Sequence, residues 1–278
     1  MRNFSRKIED YIRFHHLSDD LAPIINGLGS DRLSGYNYLG LHNEAQQMRK
    51  YRFNMRLSLE FFDIISFLEI LLRNSIYKSW AKYFSEDFPL VHSNFQSAFG
   101  YQLDKNGAIK IRWDSNTSTF QPIYTKQIKN IQEAIKYANK TATKHCRPVT
   151  SGDVVANLTF GFWRFCFDSH YTNIMNSQIK WIFPNHDMNK RHPDRVRARV
   201  WDYLSKINDL RNRIAHHDKI FHLKELREEH LFYILTIIKW IDPNAIKFSN
   251  YQKICGLMDS GWSFKKDVHY NPFPVNTF

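Results

Sequence analysis

From Leu59 to Phe84 the apolar residues Phe61, Ile64, Ile65, Leu68, Leu71, Leu72, Ile76, Trp80 and Phe84 recur at three- and four-residue steps, with no proline or glycine among them. That spacing lines one side of a helix, so a long amphipathic helix is expected here. Upstream, Gly27, Gly29, Gly35 and Gly40 interrupt the chain. That segment reads as a short helix over roughly 6–15, a loop, and helical material again from about His42.

Between Glu86 and Tyr124 the period fails. Pro89, Gly100, Gly107, Pro122 and the polar run from Asp114 to Thr119 mark an irregular insertion of about 86–124, in which Ile109, Ile111 and Trp113 predict a small strand. A helix resumes near Lys126 and runs to about Thr143. It has Ile128, Ile131, Ile135 and Ala138 on one side and Lys126, Lys129, Lys136 and Lys140 on the other, a face that is usually just solvated. Ser151-Gly152-Asp153 supplies a start for a helix through Val154, Val155, Leu158, Phe162 and Phe165, and another is expected from Tyr171 to Phe183, before Pro184. Pro193 suits the first turn of the next helix, whose inward stripe is Val196, Val200, Leu204, Ile207, Leu210 or Arg211, and Ile214. A last long helix, about Leu223 to Ile241, ends at Asp242-Pro243; the aromatic tail from Trp262 to Phe278 has no readable period.

Long helical stripes dominate, with no internal repeat and no shift of composition to mark a boundary. The expected fold is all-α: a single antiparallel helical bundle over residues 1–278, with its core at about 58–241, additional helices and the irregular insertion.

The chain has 278 residues, with 39 Lys+Arg against 27 Asp+Glu and a formal charge of +12. This balance favours a polyanionic partner such as RNA, DNA or an acidic membrane surface. Aromatic residues make up 15% of the chain and can stack on unpaired bases, which tips the choice toward nucleic acid. The three cysteines, Cys146, Cys166 and Cys255, are irregularly spaced and odd in number, so neither a zinc site nor a disulfide framework follows. A reducing, cytoplasmic compartment is the simplest home. No apolar run follows the basic amino terminus, and none approaches the ~20 residues of a membrane span, so a soluble protein with no membrane partner is expected.

One stretch carries recognisable chemistry. Leu210-Arg211-Asn212-Arg213-Ile214-Ala215-His216-His217 ends a helix with a permanent cation and an imidazole that titrates near neutrality. Arg211 and His216 are five steps apart, a rotation of about 140° and a rise of about 7.5 Å, so they do not stack on one helix face. Asn212 stands one turn before His216 and can orient its ring. A basic residue and a histidine in a last turn also complement the negative end of a helix with no catalysis at all. By spacing alone the pattern does not choose between the two.

The Arg-x4-His spacing, with asparagine second, resembles the signature of the HEPN ribonucleases. The run from Leu210 to Phe221, the segment Leu158 to Arg164, and the block Glu69-Ile70-Leu71-Leu72-Arg73-Asn74 together resemble the Abi group (AbiD/AbiF-like) of bacterial abortive-infection proteins. These blocks span the central two-thirds of the chain. The resemblance implies a HEPN-like core and a homodimer in which two such motifs face each other. It implies a metal-independent, cofactor-free endoribonuclease in phage defence: the RNA 2′-hydroxyl attacks its own phosphodiester, His216 exchanges the protons, and Arg211 offsets charge on phosphorus oxygens. Some AbiF-like members are associated with a small non-coding RNA.

Around Arg211, Asn212 and His216, further candidates for RNA contact are Arg213, His217, Arg73, Glu69, Arg195 and Arg199. Glu69 and Arg73 could equally form an ordinary intrahelical ion pair, and Lys190, Arg191, His192, Arg195, Arg197 and Arg199 an ordinary solvated face. Lys78 stands where a second Arg-x4-His would need its histidine. Two other classes stay open: a non-catalytic RNA-binding module, and a toxin component held by a protein antitoxin.

Overall fold

The stripe beginning at Leu59 belongs to a longer helix, α1 (Glu44–Phe84). It is seen in a computed structural model that describes residues 27–29, 33–36, 44–84, 100, 110–122, 126–187, 191–223 and 226–263. Phe61, Ile64, Ile65, Leu68, Leu72, Ile76 and Trp80 of α1 are each at most 1% exposed. Burial of this kind stabilises by roughly 1.5–3 kcal/mol per large side chain. Leu71 and Phe84 flank the stripe, half-buried.

Chain contacts divide the protein into two compact units, residues 1–56 and 57–278. In the first, Tyr36 meets Tyr51 edge to face at 5.6 Å, and Lys50 donates to the Tyr36 carbonyl at 3.4 Å. The expected helix over 6–15 lies outside the described residues. Among its described residues the second unit is all-α except for one hairpin, β1 (Ile111–Asp114) and β2 (Thr119–Pro122), antiparallel with Trp113 opposite Phe120. The predicted strand is therefore real and has a partner; Ile109 and the rest of the insertion lie outside the described residues.

After the hairpin comes α2 (Lys126–Lys144), which buries Ile128, Ile131, Ala134 and Ala138 and leaves Lys129, Lys136 and Lys140 exposed. The next helix was expected to start within Ser151-Gly152-Asp153 and to run unbroken to Phe165. Instead Thr150, one residue earlier, is the cap, with extended backbone: its hydroxyl accepts from the Asp153 N–H, and the Asp153 carboxylate accepts from the Thr150 N–H. The helix then divides into α3 (Ser151–Ala156) and α4 (Phe160–Phe165). Asn157 turns its side-chain amide back onto the Asp153 carbonyl at 2.8 Å, and Thr159 is extended (ψ 163°). Both residue types favour such local alternatives to a continuous helix.

A single 3₁₀ turn, Ser169–Tyr171, leads into α5 (Thr172–Ile182). Inside the core Ser79 donates to the Gln178 side-chain oxygen at 2.6 Å, and Ser75 to the Ile182 carbonyl at 2.8 Å, tying α1 to α5. The Trp80 ring meets Phe162 and Trp163 of α4. Then follow α6 (Pro193–Ala215), a π-helical turn over Leu226–Leu231, and α7 (Phe232–Ile241). A 3₁₀ segment, Pro243–Phe248, joins α7 to α8 (Tyr251–Ser263). The expected last helix is thus partly π-wound at its start. The helix α8 was not foreseen, because among its residues of described burial, 251–259, only Ile254 and Leu257 are buried, and Gly256 weakens its period.

Candidate functional site

The carrier of the motif is α6. Pro193 opens it with Asp194 in the first turn, and Val196, Val200, Leu204, Ile207, Leu210 and Ile214 form a buried stripe against α4, α5 and α7. Its far end closes through the main chain. The His216 N–H donates to the Asn212 carbonyl at 3.0 Å, His217 to Ile214 at 2.9 Å, and Asp218 to Arg213 at 2.8 Å. The last two bonds, with His217 in left-handed backbone at φ 57°, make a Schellman closure. That position usually holds glycine; histidine is among the residues that tolerate it better than most.

Because backbone amides satisfy the carbonyls of Asn212, Arg213 and Ile214, the side chains are not needed for that task. His216, His217, Arg213 and Asn212 are all exposed, and neither imidazole hydrogen-bonds to another described residue. Asn212 reaches His216 through its carbonyl and the His216 N–H, not through its side chain. Arg211 is half-buried beside Leu210, which fills the inward position.

The charge of Arg211 is felt on α1. There the Glu69 carboxyl feels both its guanidinium and that of Arg73, one turn farther along α1. Burial raises Glu69 above the usual carboxylate range, and Arg211 first, then Arg73, pull it back. Two guanidiniums against one carboxyl leave this half-buried cluster cationic. The Nε of Arg73 is buried with no hydrogen-bond partner among the described residues, and an anionic oxygen would satisfy it. The fold thus joins Glu69, Arg73 and Arg211, while His216 and Asn212 lie on a different flank of α6.

Arg195 and Arg199 are exposed on α6, upstream of the motif. Arg197, grouped with them in the sequence, is a structural residue. It is 7% exposed, with Nη1 donating to the Phe167 carbonyl at 2.6 Å and Nη2 to Asp194 at 3.0 Å. Lys206, on the Arg195 face, is drawn to Glu229 at 3.2 Å. Arg164, a residue sequence reasoning did not single out, lays its guanidinium 4.9 Å over the Trp201 ring and reaches Ser205 at 3.4 Å, fixing α4 on α6. Its position at the end of an aromatic run, Phe160 to Trp163, was the available signal.

Among the described residues no group of three or more His, Cys, Asp or Glu is placed to hold a metal ion. No helix there is long and apolar enough to cross a membrane.

Comparison with known proteins finds no match among curated proteins and none among solved structures. A family model described as "Abi-like protein" matches residues 28–222, which takes in α1, the hairpin and every helix through the motif at the end of α6. The chain therefore belongs to the family of Abi-like proteins, and with that family goes a role in abortive infection and phage defence.

Proposed function

We propose that this protein is a HEPN-type endoribonuclease of phage defence that cuts RNA without a metal ion, at a site shared by two copies of the chain. The observation that carries this reading is that Arg211 and Arg73, on helices far apart in the sequence, both bring positive charge to the half-buried Glu69. Such a cluster offers a fixed cationic seat for a phosphodiester.

The reaction needs few parts. The 2′-hydroxyl of the substrate attacks the adjacent phosphorus, and the P–O5′ bond breaks, giving a 2′,3′-cyclic phosphate and a free 5′-hydroxyl. His216 takes the 2′-hydroxyl proton or delivers one to the leaving oxygen; Arg211 faces the charge that builds on the phosphorus oxygens. Within one chain the guanidinium and the imidazole are about 140° apart around α6. A second copy bringing its own helix end across a two-fold axis lets the Arg211 of one protomer serve the His216 of the other. Asn212 is then free to orient His216, and Arg213, His217, Arg195 and Arg199 to hold the flanking strand. A small non-coding RNA or a protein antitoxin would restrain the activity by covering this surface.

The test is incubation of single-stranded RNA with the purified protein in EDTA. Cleavage that leaves 2′,3′-cyclic phosphate ends, and disappears in Arg211→Ala and His216→Ala, supports the proposal. Ends carrying a 5′-phosphate would overturn it. Salt-sensitive binding without cutting would make the protein an RNA-binding module instead.

A further inference from the structure

The hairpin presents an apolar face to solvent. Ile111 and Trp113 alternate onto one side of β1, and Phe120 of β2 stands opposite Trp113 on that side. They are 58%, 52% and 63% exposed, so no core lies over them. The two rings hold each other edge to face at 5.1 Å between centroids. On the opposite side, Arg112 pairs with Gln121, and Gln121 donates to the Thr119 hydroxyl at 2.7 Å. The turn is closed by the Asn116 N–H on Asp114 at 2.9 Å, with Ser118 in left-handed backbone at φ 51°. Lys110 and Arg112 are exposed as well, on this opposite side of the hairpin.

We infer that this hairpin is a stacking platform for unpaired bases of single-stranded RNA, a second contact separate from the end of α6. Three things select this occupant. Exposed rings on one face, with Lys110 and Arg112 on the other face of the same thin hairpin and a chain charge of +12, match bases stacked on the rings and phosphates drawn to the basic side. The tip, Asp114 to Thr119, is wholly polar, whereas a hairpin that dips into a lipid surface needs its apolar groups at the tip. Among the described residues, three apolar side chains form this patch, far short of the roughly 20–30 residues a side of a stable protein interface. The inference takes from the proposed function only that the partner is RNA.

The experiment titrates the full-length protein into a labelled 2′-O-methyl oligouridylate of about twelve nucleotides, within the span such platforms cover. This ligand can bind but cannot be cut. Trp113→Ala and Phe120→Ala are each expected to weaken binding about 5- to 100-fold, the range of one lost base stack. Trp113→Phe keeps a ring and is expected to keep most of the affinity, and it decides the matter if Trp113→Ala does not fold. The same RNA annealed into a duplex, whose bases are paired, is expected to bind all these variants as it binds wild type. Lys110→Ala with Arg112→Ala should make binding less steeply dependent on salt.

Unchanged single-strand affinity in both ring variants overturns the inference. So does retention of that affinity alongside lost capture of phosphatidylglycerol vesicles, or a halved solution mass for Trp113→Ala. The two proposals separate cleanly. If Arg211→Ala and His216→Ala cut RNA as wild type does while the ring variants still bind weakly, the ribonuclease assignment falls and the platform stands. If the ring variants bind normally while Arg211→Ala abolishes cutting, the reverse holds.

Discussion

Two helices end in the same way and are then treated differently. At the end of α2, Cys146 adopts φ 49°, its N–H bonds to the Thr143 carbonyl at 3.1 Å, and the Arg147 N–H reaches Ala142 at 3.1 Å. At the end of α6, His217 takes the same place with the same pair of bonds. Neither uses glycine. Beyond α2 the next side chains are bound at once: the Arg147 guanidinium grips both oxygens of Asp153, which also caps α3. Beyond α6 the imidazoles of His216 and His217 are left in solvent with no hydrogen bond to a described residue. Backbone bonds close both ends, and His145 is as exposed at the end of α2 as His216, which holds the same place at the end of α6; what sets the α6 end apart is the second imidazole, His217, and the cationic cluster on another flank of that helix.

Substitutions at the two ends probe that contrast. The largest difference is expected in cleavage: His216→Ala and Arg211→Ala lower it by roughly 10²- to 10⁴-fold, the range of a lost acid–base or charge-stabilising group, while Cys146→Ala leaves it unchanged. Equal activity in all three removes the distinction.

Stability should show the opposite pattern. Thr150→Ala is expected to cost about 1 kcal/mol in thermal or urea unfolding, because it removes the cap that follows α2. His216→Ala should cost far less. The Asp153 carboxyl is held well below its usual range, first by the hydrogen bonds from Arg147 and then by those from Thr150. Its folded value is depressed, so its contribution is complete above the unfolded value near pH 4 and is lost as pH falls through the folded value. The Tm gap between wild type and Asp153→Asn should therefore narrow as the buffer is acidified below about pH 4.

Glycine at the left-handed positions separates backbone from side chain. His217→Gly and Cys146→Gly should each raise stability by about 0.5–1 kcal/mol, since both remove a Cβ from φ near 50°. If His217→Gly cuts RNA as well as wild type, the imidazole of His217 takes no part; a loss of activity with the gain in stability assigns it to the site.

A last, pH-dependent effect concerns Glu69. Its folded carboxyl is raised, so it protonates earlier as pH falls than a free glutamate does. Protonation removes the negative charge beside Arg211 and Arg73. Glu69→Gln should bind single-stranded RNA a few-fold more tightly at neutral pH, on the order of 1 kcal/mol for one screened charge. Wild type should approach the variant as pH drops. A constant ratio across pH would remove Glu69 from the phosphate seat.

Much of this was legible in the sequence, for a physical reason: helices that pack against a core must repeat their apolar residues at the helical period. Ile64 to Trp80 and Val196 to Ile214 therefore announced themselves. The break between α3 and α4 did not, because it depends on Asn157 and Thr159 bonding locally, and an apolar run reads straight across it. Arg197 looked like its neighbours Arg195 and Arg199. Only the placement of the Phe167 carbonyl made it a buried strut. The motif itself was readable, and so was the Glu69–Arg73 pair. That Arg211 joins that pair was not, since meeting across helices is a property of packing and not of either segment.

The two serines of α1 that reach α5 have a further consequence. Ser75 and Ser79 act as keys in a slot: with one bonded to the Ile182 carbonyl and the other to Gln178, α1 cannot roll about its own axis. Glu69 and Arg73 are geared to that same axis, so the direction they face is set by polar contacts up to about three turns farther along the helix. The chemistry proposed for the tip of α6 is thereby answerable to two hydroxyls that never touch it.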